Sequence, residues 1–312
     1  MEAYFNRHGV AIGLIRSNHI RYLVHGYADL ANSIKVSTET RFEIGSVTKP
    51  LTAFLFAGDV ASGTLRLNTP VSSLLPDVAN ALKQITLAEL ITHQSGLPRL
   101  PPNLVHIGVL NPYADYDTEA LIQAVSAVAS GQKSFRYSNF GYGILTLAAE
   151  SRYADNYTML MKTAVFPVLN MQNADIAGAG RVFRHLANGH VSSGDKTRNW
   201  QFDSMAGAGG VIASIRDMAQ MIAAIFRGYE TSPALKVWLT PLSHGEHSMA
   251  MGWMISEDGS YFHGGQTLGF SAYAGFNLAT QAGVVILTNI ARDVSVAGGQ
   301  ILNQLNKQQQ DK

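Results

Sequence analysis

Strand-like runs lie at the two ends of this chain, and the long middle reads as helix. "GVAIGLI" and "IRYLVHGYA" near the N-terminus are separated by "RSNH", which reads as a hairpin. Near the C-terminus come "SYFHGG", "FSAYAGFNL" and "AGVVILTNI", with "ATQ" as a tight connection between the last two. Between the ends, "PLTAFLFAGDVASG", "TLAELITHQSG", "DTEALIQAVSAVASG", "GYGILTLAAESRYA" and "NYTMLMKTAVFPVLN" have helical length and spacing, several closed by glycine. This pattern predicts an α/β (α+β) fold: a sheet assembled from both termini, with a helical region inserted. "DVSVAGGQILNQLNK" is expected to form a last helix despite its paired glycines, and the tail "NKQQQDK" to fray.

Composition narrows the function. The 312 residues are 46% hydrophobic and 14% charged, with a net charge of +1, which gives no footing for nucleic acid or an anionic membrane surface. Without cysteine, disulfides and thiolate metal sites are excluded. No run approaches the ~18 apolar residues of a membrane span. His185, His190, His244 and His247 are scattered singly, so no metal and no cofactor is expected. The start, "MEAYFNRHGVAIGLI", lacks the layout of an export signal. The chain is read as either cytoplasmic or an exported protein whose signal has been replaced by a methionine.

Chemistry enters with "FEIGSVTKPLTAFLFAG", residues 42–58. A serine and a lysine three apart share one helix face, and a hydroxyl at the helix start sits at the positive end of the backbone dipole. Lys49 could then take the proton of Ser46 and make it a nucleophile. Roughly one S-x-x-K arises by accident in a chain of this size at average usage. This chain has three, Ser46–Lys49, Ser130–Lys133 and Ser193–Lys196, and among them only Ser46 follows a glycine and precedes an apolar helix.

Two further stretches gain weight beside it. In "FRYSNFGYG", Tyr137 and Asn139 stand two apart, so in extended chain they point the same way. A tyrosinate beside a lysine ammonium is a workable general base, because the cation lowers the phenol pKa. An asparagine amide both donates and accepts, as a substrate amide requires. The same residues also suit a tyrosine packed at a helix start and an asparagine cap. In "YFHGGQTLGF", the glycines after His263 leave room for a ligand or another backbone, or mark a bulge. His93 in "ITHQSGLP" follows a helix and precedes a turn, and is read as a structural hydrogen-bonding residue.

Taken in order, "SVTK", "YSN" and "HGG" resemble the serine β-lactamase and penicillin-recognising family, in its class C and D-alanyl-D-alanine carboxypeptidase branch, which also contains esterases. "ITHQSGLP", "AGAGGVIASIRDMAQMI" and "GVVILTN" fit the same branch, so the likeness covers nearly the whole chain. The resemblance implies an antiparallel sheet flanked by helices, from residues 1–57 and 205–312, a mainly helical region from 58–204, and a site in the cleft between them. It implies Ser46 as acylated nucleophile, Lys49 as its proton partner and Tyr137 as general base that returns a proton to the leaving group. Asn139 would position the substrate amide. His263 and Gly264 would line the far wall, with Gly265 and Gln266 on the strand edge that supplies an oxyanion hole.

One departure bears on substrate. Efficient class C enzymes carry lysine-threonine-glycine where this chain has His263-Gly264-Gly265, so the cation and hydroxyl that hold a substrate carboxylate are absent there. Thr267, or an arginine brought in by the fold, could substitute. Histidine at this place resembles the carboxypeptidase and esterase members, and the implied location is periplasmic or exported. The sequence therefore predicts a serine acyl hydrolase acting on small-molecule or peptide amides and esters: D-alanyl peptides, β-lactams or small carboxylic esters. The alternatives are a non-catalytic penicillin-binding-like protein, or an acyltransferase that uses the same acyl-enzyme.

Overall fold

The computed structural model describes residues 7–310, apart from 106–109, 129–131, 179 and 244. His106, Ser130 and His244 thus lie outside the described residues. A six-stranded antiparallel sheet is built from both ends of the chain. Strands β1 (Val10–Arg16) and β2 (His19–His25) form the expected hairpin, and β1 continues onto the C-terminal strands with Gly13 opposite Val285. Those strands are β5 (Tyr261–Gln266), β6 (Ser271–Asn277) and β7 (Ala282–Thr288), and the short pair Met254–Ile255 closes the edge beyond β5.

Every residue of β6 and β7 is buried, because helices cover both faces of the sheet. On one face, α5 (Ile215–Gly228) crosses β1 and β7, with Ile215 and Ala219 packed over Gly13. On the other, α7 (Ser295–Gln310) packs against Tyr273, Val284 and Ile286 through Leu302. Its paired glycines have a packing reason. A Cβ on Gly298 would run into the Tyr273 ring, so glycine lets the helix settle onto the sheet. A second, three-stranded sheet pairs β3 (Arg41–Glu43) and Asp175–Ile176 with β4 (Val211–Ser214).

Helix α1 (Thr48–Ser62) runs through the middle of the molecule, and every residue from Thr48 to Ala57 is buried. A helix apolar around its whole circumference needs neighbours on all sides. It has α4 (Asn139–Tyr153) and the short helix Ala206–Gly209 on one side and α6 (Pro233–Leu239) on another. Gly63, in the left-handed region at φ 78°, ends it. Helix α2 (Leu87–Ile91) is shorter than "TLAELITHQSG" suggested: Thr86 and Glu89 form a capping box, but His93 turns to φ 60° and breaks the helix. Asp117 caps α3 (Thr118–Ala127). No described helix is long and apolar enough to cross a membrane.

Candidate active site

Ser46 sits in the 3-10 turn Gly45–Val47 that leads directly into α1. One turn on, Lys49 points back, with its Nζ 3.0 Å from Ser46 Oγ and 2.6 Å from the Ala208 carbonyl oxygen. Lys49 is fully buried, and it forms no ion pair among the described residues. Burial holds its pKa well below the ordinary lysine value, and the Arg99 charge adds to that. Lys49 Nζ donates to the Ala208 carbonyl and to Ser46 Oγ, and its lowered pKa eases loss of a proton at this position, which would leave a lone pair facing the Ser46 hydroxyl. The stretch "AGAGG" carries this carbonyl because it passes tightly against α1: Thr52 Oγ1 bonds the Gly207 carbonyl at 2.8 Å, and a Cβ on Gly207 would strike Thr146.

Tyr137 lies above the pair, its ring 4.9 Å from Lys49 Nζ. The sequence led us to expect a phenol pKa lowered by that cation, and the structure reverses the direction. Tyr137 is half-buried, and burial pushes its phenol up to about 12, with Ser46 and Arg99 pulling less strongly the other way. The two shifts run in opposite directions, Tyr137 toward the phenol and Lys49 toward the free amine, which makes Lys49 the better proton acceptor of the two.

His93 fixes the Tyr137 segment. Its carbonyl accepts the Arg136 N–H at 2.7 Å, its Nδ1 accepts the Ser138 N–H at 3.0 Å, and its ring lies 4.3 Å from that of Tyr137. The structural reading of His93 holds, at a place that sets the tyrosine's position. Ser138 caps α4 by accepting from Gly141 N, so Asn139 opens the helix toward the cleft. Asn139 Nδ2 donates to the Tyr113 hydroxyl at 3.3 Å, and its Oδ1 is buried with no protein partner.

Strand β5 closes the opposite side. His263 is buried, its Nδ1 is 2.6 Å from the Gly264 carbonyl, and its Nε2 has no partner. Burial first, then Lys49, lowers its pKa to about 3, so the imidazole is uncharged at neutral pH. Gly265 and Gly45 allow the strand to touch the Ser46 turn. A Cβ on Gly265 would collide with the Ile44 carbonyl and stand 3.1 Å from Ser46 N; one on Gly45, at φ 51°, would stand 2.7 Å from Gln266 N. The backbone nitrogens of Ser46 and Gln266 thus meet at this contact.

Ser46, Tyr137, Asn139, His263, Gly264, Gly265 and Gln266 all line one open cleft of about 490 Å³. Lys49 lies beneath it. Of the other two S-x-x-K matches, Ser193 bonds Asp195 at an exposed turn, and Lys133 pairs with Glu89. Sequence reasoning missed Arg99, Tyr113, Trp200, Asp293 and Ser295, which line the same cleft. For Arg99 a signal existed, since it directly follows "SGLP". For Ser295 and Asp293 none did, because only the packing of α7 brings them there. No described group of three or more His, Asp or Glu side chains could hold a metal ion.

A buried carboxyl stands behind the nucleophile. Glu43, on β3, accepts from Trp200 N at 2.8 Å, while its Oε2 and the nearby Thr267 Oγ1 lack well-formed partners. Burial raises its pKa from 4.5 to about 8, against weaker opposing contributions from Thr267, Trp200 and Asn199. The folded state therefore holds this proton more tightly than the unfolded chain. Its stabilising contribution is complete below the unfolded pKa and is lost as pH rises through about 8. We expect the wild-type melting temperature to fall between about pH 5 and 9, and Glu43→Gln to flatten that slope. Parallel pH–melting curves would refute the protonated Glu43.

The profile of the Beta-lactamase family matches residues 1–306. Among curated proteins, the chain is 28% identical to a beta-lactamase of Escherichia coli (strain K12), over 69% of this chain and 55% of that one. It is 25% identical to a beta-lactamase of Pseudomonas fluorescens over 90% and 88% of the two chains. It is also 25% identical to the protein flp of Staphylococcus aureus, over 85% of this chain and 56% of that one. The chain thus spans little more than half the length of two of these three relatives. Among solved structures, a class C beta lactamase from Rhodobacter sphaeroides superposes with a TM-score of 0.79, covering 93% of this chain and 92% of the other at 21% identity.

Proposed function

The chain belongs to the beta-lactamase family, and from that premise we propose that it is an acyl-serine hydrolase with Ser46 as its nucleophile. The observation that carries the reading is the 3.0 Å contact between Ser46 Oγ and a buried lysine amine whose own hydrogen is held by the Ala208 carbonyl. The Ser46 oxygen attacks the substrate carbonyl as its proton passes to Lys49. The oxyanion forms against the backbone N–H groups of Ser46 and Gln266. Tyr137 gives its phenolic proton to the leaving group and is reprotonated from Lys49, so one proton has moved from Ser46 to the departing amine or alcohol. Water then attacks the acyl-enzyme by the reverse relay, and Ser46 regains its hydrogen.

The substrate is an amide or ester: a D-alanyl peptide, a β-lactam or a small carboxylic ester. Asn139 positions the acyl part, its free Oδ1 accepting a substrate N–H. His263 and Gly264 line the far wall. The two regions, 1–57 with 205–312 and 58–204, meet at this cleft.

The test is intact-mass measurement after brief exposure to a penicillin and, separately, to a nitrophenyl ester, followed by peptide mapping. One acyl adduct per chain on the peptide containing Ser46, with a matching burst of nitrophenol, is expected. Turnover without an adduct, or an adduct elsewhere, would overturn the assignment.

A further inference from the structure

The cleft is charged unevenly. Arg99 supplies the guanidinium and Asp293 the carboxyl group among its described lining residues, and they stand on different sides. Arg99 belongs to the loop after α2. Its carbonyl accepts the N–H groups of Asn139 and Phe140 at 2.9 and 3.2 Å, which fixes its backbone to the start of α4. Its guanidinium lies 5.1 Å over the Tyr137 ring and is exposed, with no hydrogen bond or ion pair among the described residues. A planar fork of donors anchored by its backbone and lying over one ring keeps its edge free for a carboxylate.

The other wall is different. Asp293 Oδ1 accepts from Ser295 N at 2.8 Å where α7 begins. Ser295 Oγ stands 2.6 Å from where a Cβ on Gly264 would be, so it fills the place of the missing side chain with a hydroxyl. That wall therefore offers a hydroxyl and a carboxylate, beside an imidazole without charge. An anion placed there is repelled by Asp293, while one placed against Arg99 is attracted.

We propose that the site selects acyl substrates bearing a carboxylate, and that Arg99, on the helical side, binds it in place of the His263–Gly264 wall. The inference rests on the serine-hydrolase reading. Arg99 acts in it as a specificity-determining residue, and Asp293 disfavours the alternative pose.

Three nitrophenyl esters test it: a neutral butyrate, a glutarate monoester with the carboxylate in the acyl group, and a butyrate of a carboxylated nitrophenol. The quantity read is the ratio of kcat/KM for each carboxylate ester to that for the neutral one. Arg99→Met is expected to lower this ratio roughly 10-fold for at least one carboxylate ester, mainly through KM, with Arg99→Lys recovering part of it. Asp293→Asn is expected to move it upward a few-fold. If both ratios stay within about twofold in Arg99→Met, or fall equally in Arg99→Lys, anion binding by Arg99 is refuted and its role is to brace Tyr137. Ser46→Ala on the neutral ester is the separate control: turnover that survives there counts against the serine mechanism, not against the charge reading.

Discussion

Ser46→Ala is expected to leave no acyl adduct and to lower turnover by on the order of 10⁴-fold or more, since it removes the atom that bonds to the substrate. The fold should not change with it. The Ser46 hydroxyl meets Lys49, and that lysine keeps its 2.6 Å bond to the Ala208 carbonyl when the hydroxyl is gone. Lys49→Met separates nucleophile from base. It keeps the length and apolar stem of a fully buried side chain but has no amine. The serine should then acylate slowly, by a factor on the order of 10²–10⁴, and the acid limb of the rate profile should vanish. In the proposed mechanism that limb belongs to Lys49. Because burial holds its pKa low, the neutral amine persists to lower pH than an exposed lysine would allow. Rate and melting curve measured together decide the matter: an adduct in Ser46→Ala refutes the nucleophile, and an unchanged acid limb in Lys49→Met refutes the base.

That pair was legible because it is local. Three residues and a helix start determine it, as two-residue turns and alternating apolar runs determine the β1–β2 hairpin. Tyr137 and His263 could be linked to it only through resemblance, since nothing near them in sequence says that they meet at 6.3 Å between ring centroids. What failed was the sign of the Tyr137 shift. The sequence puts a cation near a phenol, but the sign of the shift depends on how much water the fold removes from the phenol, and burial is a sum over distant segments. The same holds for α2. The helical reading runs on through the polar residues past Ile91 to Gly96, yet the helix stops where His93 turns its carbonyl to the Arg136 N–H, a tertiary bond that outweighs one more helical turn. Arg99 comes from the loop after α2, and Asp293 and Ser295 from the start of α7; the two places share no motif, and only the closed fold gives them a common cleft.

The second large effect concerns backbone, not side chains. Gly265→Ala places a methyl against the Ile44 carbonyl oxygen and 3.1 Å from Ser46 N. Both neighbours are main chain, and the Ser46 turn is continuous with the buried helix α1, so neither can rotate away. Strand β5 must back off from the turn, and Gln266 N moves with it. Loss of a positioned oxyanion donor costs about 10²–10³ in kcat, and the overpacked contact about 1–3 kcal/mol in stability. Gly264→Ala is the control one residue away. Its methyl meets Ser295 Oγ, the end of a side chain that can turn aside, so the structural cost should be smaller. If Gly265→Ala acylates as fast as Gly264→Ala at equal stability, the strand does not set the oxyanion geometry. If it loses kcat far beyond what its stability loss explains, the two nitrogens gathered by Gly45 and Gly265 are the anion-stabilising pair.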